Sequence, residues 1–153
     1  MTWKNRIVGY TEEQPEQLLA HYANTNNHTN EQREALKALL EDVGIVQNVI
    51  VNDRTGRLVD GHLRIEEAIT ADLKKIPVTH IDVSEEEETK IILFLDPIAR
   101  LAYPNQENIE LLLETIELDN EPLEALLDKN KKPKKEKKPF TCPSCGYVAT
   151  SDS

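Results

Sequence analysis

The stretch Val59-Asp60-Gly61-His62-Leu63-Arg64 constrains the fold more than any other part of this chain. Upstream, Ile45 to Asn52 is β-branched and apolar. Arg57 to Asp60 returns after Asp53-Arg54-Thr55-Gly56, a tight turn with glycine at its end. That pattern predicts a β-hairpin. Downstream, Leu63, Ala68 and Ile69 predict a helix starting at Gly61 and running to about Thr70. A strand therefore passes through one glycine directly into a helix. A further strand is predicted over Ile76–Val83, with Pro77 at its start or on a sheet edge.

The flanking segments read in the same local terms. Arg6–Tyr10 is a short strand candidate, and Pro15–Tyr22 a short helix with proline near its start. Thr29 caps a helix, and Gln32 completes a capping-box pattern. Leu36, Leu39, Leu40 and Val43 form its predicted buried face, and Gly44 its C-terminal stop. Ser84 and Glu87 form a second capping box, with Ile91, Ile92 and Leu95 as the apolar side. The run Glu85–Glu88 suits the positive end of that helix and reads as solvated, a metal site being the weaker alternative. Asp96-Pro97 interrupts the pattern. Asn105–Leu118 predicts another helix with Leu112, Leu113 and Ile116 inward, and Glu121–Leu127 a short last one. The fold class expected is α/β (α+β): a small mixed sheet with packed helices, then C-terminal helices and a disordered basic linker.

Charge divides the chain near residue 128. Residues 1–128 carry 11 Lys+Arg against 26 Asp+Glu, a net of -15; residues 129–153 carry 7 lysines against Glu136 and Asp152, a net of +5. An acidic body offers no broad grip on a DNA backbone. The segment Lys129–Pro139 has no apolar residue to bury and reads as an extended linker, either a solubilising spacer or a non-specific nucleic-acid contact. No apolar run approaches the roughly 18–20 residues of a membrane helix. The first residues lead into no apolar signal region. Two cysteines in one C-x-x-C make no disulfide framework. The expectation is a soluble cytoplasmic protein without a membrane partner.

The chemistry is expected at the glycine junction. The first amides of a helix lack internal partners and favour an anion in front of them. Gly61 permits close backbone approach. Arg64 can offer a planar fork to phosphate, and His62 can donate a hydrogen bond or act as acid or base. Asp60 can orient His62 or hold a metal ion, with Asp82 as a further carboxylate able to converge with them in space. The bland alternative has Asp60 capping the helix and Arg64 in a surface ion pair. Asn24, Asn27 and His28 lie in a polar loop, read either as ligand contacts or as a simple turn. His21 has a weaker claim, and His80 reads as a hydrogen-bonded structural histidine.

The polar loop Asn24–His28, a helix ending at Val43-Gly44, Val46–Val51, Leu58–Ala68 with its D-G-H-x-R motif, and Ile76-Pro77-Val78 follow in a fixed order. In that order and spacing, residues 6–100 resemble the N-terminal domain of the ParB/sulfiredoxin superfamily, often labelled "ParB-like nuclease". The D-G-H-x-R form looks most like members carried by phages and other mobile elements, sometimes beside DNA methyltransferases. The resemblance implies a nucleotide-phosphate site of Gly61, His62 and Arg64, with Asn24, Asn27 and His28 nearby, taking a nucleoside triphosphate with Mg²⁺. Partitioning ParB proteins carry G-E-R-R there; the glycine and last arginine match, while His62 and Leu63 do not. Sulfiredoxins carry a catalytic cysteine where His62 stands, so sulfinic-acid reduction is excluded. Free serine kinases of the superfamily use a histidine-containing motif similar to D-G-H-x-R. A kinase would need a carboxylate base, for which Glu31 and Glu34 are candidates by position, with Asp60 and His62 as other catalytic candidates. Residues 100–153 are too short for both the DNA-binding and dimerisation domains of partitioning ParB.

Cys142 and Cys145, with Gly146 after them, resemble one knuckle of a zinc ribbon. Structural zinc takes four ligands, so this half-site either is completed by a second copy of the chain, a partner protein or a borrowed histidine, or is a degenerate knuckle. The domain expectation is a ParB/sulfiredoxin-like domain over 1–104, a helical extension over 105–128, a Lys/Pro-rich linker over 129–141 and a half-knuckle tail over 142–153. Three functions follow: a nucleotide-binding module for DNA transactions, a small kinase or nucleotide hydrolase using the same pocket, and a non-catalytic adapter docking a partner through the knuckle.

Overall fold

The computed structural model describes residues 2–22 and 27–130, together with the short strands Phe140–Thr141 and Val148–Ala149. A four-stranded mixed sheet forms the centre. Its strands are β1 (Ile7–Glu13), β2 (Val49–Asn52), β3 (Arg57–Asp60) and β4 (Ile76–Ile81), in the spatial order β1-β4-β2-β3. β2 and β3 form the expected antiparallel hairpin, turning where Gly56 adopts φ +65°. β4 pairs antiparallel with β1 and parallel with β2.

Strand alternation divides the core between two faces. On one, Val49, Val51, Leu58, Ile76 and Val78 pack with Ile65 and Ala68 of α2 (His62–Thr70). On the other, Val59, Ile81 and Val83 pack with Ile91 and Ile92 of α3 (Glu85–Ala99). The preceding helix α1 (Asn30–Asp42) lies beside α2 and the later α5 (Glu121–Asn130). α4 (Gln106–Leu113) buries none of its residues. The last two strands, β5 (Phe140–Thr141) and β6 (Val148–Ala149), pair antiparallel on either side of the Cys142/Cys145 segment. No described helix is long and apolar enough to cross a membrane.

Several local expectations are corrected. β1 runs on to Glu13, because β4 supplies partners along its length. Pro15–Gln17 is only a 3₁₀ turn. The chain then extends, so that Leu19 bridges Arg57 and accepts from the Leu58 amide at 2.8 Å. β2 begins at Val49; Ile45 and Val46 lie exposed before it. Pro77 stands at the start of β4, the first of the two places expected for it, just before the pairing with β2 begins at Val78; β4 itself is internal. α1 turns Ala35 and Ala38 inward and leaves Leu39 and Val43 exposed. Its Thr29 cap accepts from the Gln32 amide, while the Gln32 side chain meets His28 instead of closing the box.

α3 opens with the full Ser84/Glu87 capping box. It continues through Pro97, which lies in the last turn, where the missing N–H costs only one carbonyl its partner. Leu95 on α3 is exposed, as are Ile69 on α2, Leu112 on α4 and Ile116 beyond it. Within the glutamate run, Glu85 and Glu86 are exposed but Glu88 is buried.

Candidate functional site

α2 begins where Gly61 adopts φ +96° and ψ +21°, a left-handed conformation that costs an L-residue. A Cβ there would stand 2.6 Å from Val49 Cγ1 and 3.0 Å from Arg64 Nη2. The glycine is thus demanded both by the backbone turn and by the close approach of the core strand. No side chain caps this helix end, Asp60 included.

The helix start opens into a cleft of about 780 Å³ between α1, α3 and α5. Asn27, His28, Glu31, Glu34, Asp60, Gly61, His62 and Arg64 all line it. Asn24, Cys142 and Cys145 lie outside the described residues. Leu36 and Leu39 of α1, Ile91, Ile92 and Leu95 of α3, and Leu123 and Leu126 of α5 give the cleft an apolar section beside this polar end.

Within the polar end, Arg64 Nη2 donates to Asp60 Oδ2 at 2.9 Å and to the Asn48 carbonyl at 3.3 Å, and Nη1 donates to Gln47 Oε1 at 3.1 Å. Its Nε is buried without a hydrogen-bond partner. Asp60 is therefore an ion-pair partner of Arg64, part-buried at the mouth of the helix. His62 Nε2 accepts from the His21 main-chain N–H at 3.3 Å. Burial pushes the His62 pKa down, the neighbouring His21 and His28 act in the same direction, and Asp60 and Glu66 oppose them. His28 Nδ1 faces Gln32 Oε1 at 3.2 Å, and its Nε2 is buried without a partner. Glu31 pairs with Lys129, tying α5 to α1. Asp82 pairs with Arg54 at the β2–β3 turn, the far end of β3 from Asp60. Asp60, His62 and Asp82 do not converge. Among the described residues no three His, Cys, Asp or Glu side chains stand together as a metal site.

No family model matches the chain, and no curated protein does either. Solved structures do match. The C-terminally truncated chromosome-partitioning protein ParB from Caulobacter crescentus, complexed with CTP-gamma-S, aligns with a TM-score of 0.50 at 22% identity, over 58% of this chain and 53% of that one. The fold is ParB-like. A Pnob8-like ParB-N domain also aligns, at TM-score 0.46 and 23% identity, over 58% of this chain and 36% of that one. The match spans about half the length of the Caulobacter ParB chain.

The ParB-like sheet also holds a polar cluster that sequence reasoning missed. Glu88, 2% exposed, sits beneath the strands. Its Oε2 accepts from the Asn52 amide and from Thr55 Oγ1 at 2.9 Å, and its Oε1 stands 3.1 Å from His21 Nε2. Asn52, fully buried, donates to the Val83 carbonyl at 3.1 Å and accepts from the Val83 and Arg54 amides at 3.3 Å. Glu88 is masked in the sequence by three other glutamates that suit the helix dipole. Its i, i+3, i+4 relation to Ile91 and Ile92 was the one available sign of an inward face. On the sheet's other side, His80 is the hydrogen-bonded histidine expected, with Asp53 at 2.6 Å from Nδ1 and Thr11 at 2.7 Å from Nε2.

Proposed function

We propose that the cleft at Gly61 is a nucleotide-phosphate site, and that the protein is a nucleotide-binding ParB-like module of phage or mobile-element type acting in DNA transactions. The observation that carries this reading is the meeting of two features. An uncapped helix N-terminus, reached through a glycine that admits no side chain, faces the same cleft as His28, whose buried Nε2 has no partner. The helix start supplies main-chain donors and a favourable dipole. His28, His62, Asn27 and, beyond the described residues, Asn24 supply side-chain contacts. The Caulobacter ParB chain, with CTP-gamma-S bound, supports the same reading.

Arg64 enters this reading on a condition that the geometry sets. Its terminal nitrogens already serve Asp60, Asn48 and Gln47. A phosphate would compete with Asp60 for them, or take the donors those bonds leave over. The described residues form no metal cage. Mg²⁺ characteristically keeps its waters and binds through phosphates plus one or two carboxylates, so it would come with the triphosphate.

The Lys-rich segment from Lys129 is assigned to DNA, where an acidic body needs a separate basic contact. The Cys142/Cys145 half-site is assigned to zinc shared with a second copy or a partner protein. A kinase or hydrolase using the same cleft is the second reading. It draws on Glu34, which lines the cleft, whereas Glu31 is engaged by Lys129.

A thermal-shift screen of the nucleoside triphosphates with Mg²⁺ tests the main reading. Binding at 100 times the dissociation constant stabilises by about 2.7 kcal/mol. Arg64→Ala should weaken binding by about 1.5–3 kcal/mol, the worth of a charge-assisted hydrogen bond, while the protein stays folded. No shift with any triphosphate would overturn the phosphate-site reading, and an undiminished shift in Arg64→Ala would take Arg64 out of the site and leave the phosphate to the helix start and the histidines. Release of phosphate, or its transfer to free serine, would decide for the second reading.

A further inference from the structure

Resting on the phosphate-site reading, we propose that Glu88 and His21 are positioning residues that fix the tautomer of His62, so that its ring presents Nδ1–H to a phosphate oxygen in the cleft. A main-chain amide can only donate. The His21 N–H lies 3.3 Å from His62 Nε2, so that nitrogen holds a lone pair and the proton of the neutral ring is on Nδ1. Burial, which disfavours the imidazolium, agrees with a neutral ring.

The tautomer is only as well fixed as the main chain at His21. That segment is extended and belongs to no helix or long strand. It is fastened at Leu19, whose carbonyl accepts from the Leu58 amide at 2.8 Å. The second fastening is an electrostatic contact: the His21 ring lies 3.1 Å from Glu88 Oε1, outside hydrogen-bond geometry. Glu88 is held in turn by Asn52 and Thr55 on its other oxygen. Tyr22 stacks on His21 with ring centres 4.6 Å apart, and the Arg57 guanidinium lies 5.2 Å over Tyr22. Burying a carboxylate is costly, the more so here because only Oε2 of Glu88 is hydrogen-bonded and Oε1 is not, and an aliphatic side chain would fill this space without that cost. The network's distinct output is the position of one amide proton against His62 Nε2.

Long-range proton–nitrogen correlation spectra of the full chain at neutral pH read the tautomer directly, with His62→Asn identifying the His62 signals. The expected spectrum has Nδ1 protonated and Nε2 bare. An Nε2-protonated or averaged ring overturns the proposal. In Glu88→Gln the ring should average between tautomers, and affinity for CTP, ATP and inorganic tripolyphosphate should fall about tenfold, the scale of one hydrogen bond. Thr55→Val is the milder variant if Glu88→Gln does not fold. A folded variant with tautomer and affinity unchanged removes the positioning role. His62→Asn, which places an amide near the Nδ1 position, should keep more binding than His62→Gln, whose amide reaches the Nε2 position. The reverse order overturns the proposal. A wild-type chain that binds none of the three probes defeats the phosphate-site reading and the proposal together. Binding with the wrong tautomer defeats the proposal alone.

Discussion

Replacing Gly61 by alanine combines two costs that the other glycines allow to be separated. The first is conformational: φ +96° lies beyond the left-handed well that L-residues occupy. Entering left-handed space costs about 1–2 kcal/mol. The second is steric: the new Cβ would stand 2.6 Å from Val49 Cγ1, and Val49 is fully buried in the core. Overpacking of this kind costs about 1–3 kcal/mol. Alanine returns roughly 0.4–1 kcal/mol by narrowing the unfolded ensemble, leaving a net loss of about 3 kcal/mol in mid-range. At roughly 4 °C per kcal/mol for a domain of this size, Tm should drop by about 12 °C. Gly44 is the matched control, with φ +92° and nothing within 4 Å of a built Cβ. Gly44→Ala carries the first cost without the second. Gly56→Ala, at φ +65° with open space, should cost less still, and Gly9→Ala should be close to neutral. Urea and thermal unfolding followed by circular dichroism give the series. Gly61→Ala within about 0.5 kcal/mol of Gly44→Ala, inside the usual error of such comparisons, would refute the contact with Val49 as the reason for glycine.

Three further outcomes are expected. Asn52→Leu removes partners from both Val83 backbone groups and from Glu88, and should cost about 3 kcal/mol or more at 1–3 kcal/mol per orphaned buried group; a loss below about 1 kcal/mol would show that the cluster relaxes freely. His62 has a folded pKa below the ordinary imidazole value of 6.5, so the unfolded chain takes up the proton first. Its contribution to stability should be complete above that value and decline as pH falls below it, a slope absent in His62→Asn and measurable by urea unfolding across pH. If Cys142 and Cys145 bind zinc, two ligands per chain require one zinc per two chains and mass that falls on chelation; metal analysis with light scattering that finds one zinc per monomer at constant mass would point to ligands within one chain.

Short-range chemistry was legible in the sequence, and the reach of each reading follows from its physics. The Asp53–Gly56 turn, the Ser84/Glu87 capping box, the Thr29 cap and the Gly61 passage from strand to helix each depend on residues within a few positions of one another. They therefore need nothing from the rest of the fold. Asn27 and His28 just before α1, and Asp60 and Gly61 just before α2, line one cleft because the N-terminal ends of the two helices open into it; the α3 and α5 residues that complete the cleft had no local signal.

Burial was different, because a face is buried only by what covers it. α1 offers Leu36, Leu39, Leu40 and Val43 on one stripe, yet small residues, Ala35 and Ala38, are the ones buried in a helix that meets both α2 and α5. No spacing rule says which helix arrives or how closely. β1 continues to Glu13 because β4 lies alongside, and Pro77 is tolerated in an internal strand because it stands at the start of β4, opposite Glu12 of β1 and before the β2 pairing begins at Val78. Glu88 looks like its three neighbours in the chain, and becomes a buried carboxylate only where β2 brings Asn52 and the extended segment brings His21. The sequence by itself determined the turns, the caps and the glycine junction. The tertiary structure alone decided which charges left water, since desolvation is a property of the assembled neighbours and not of any local pattern.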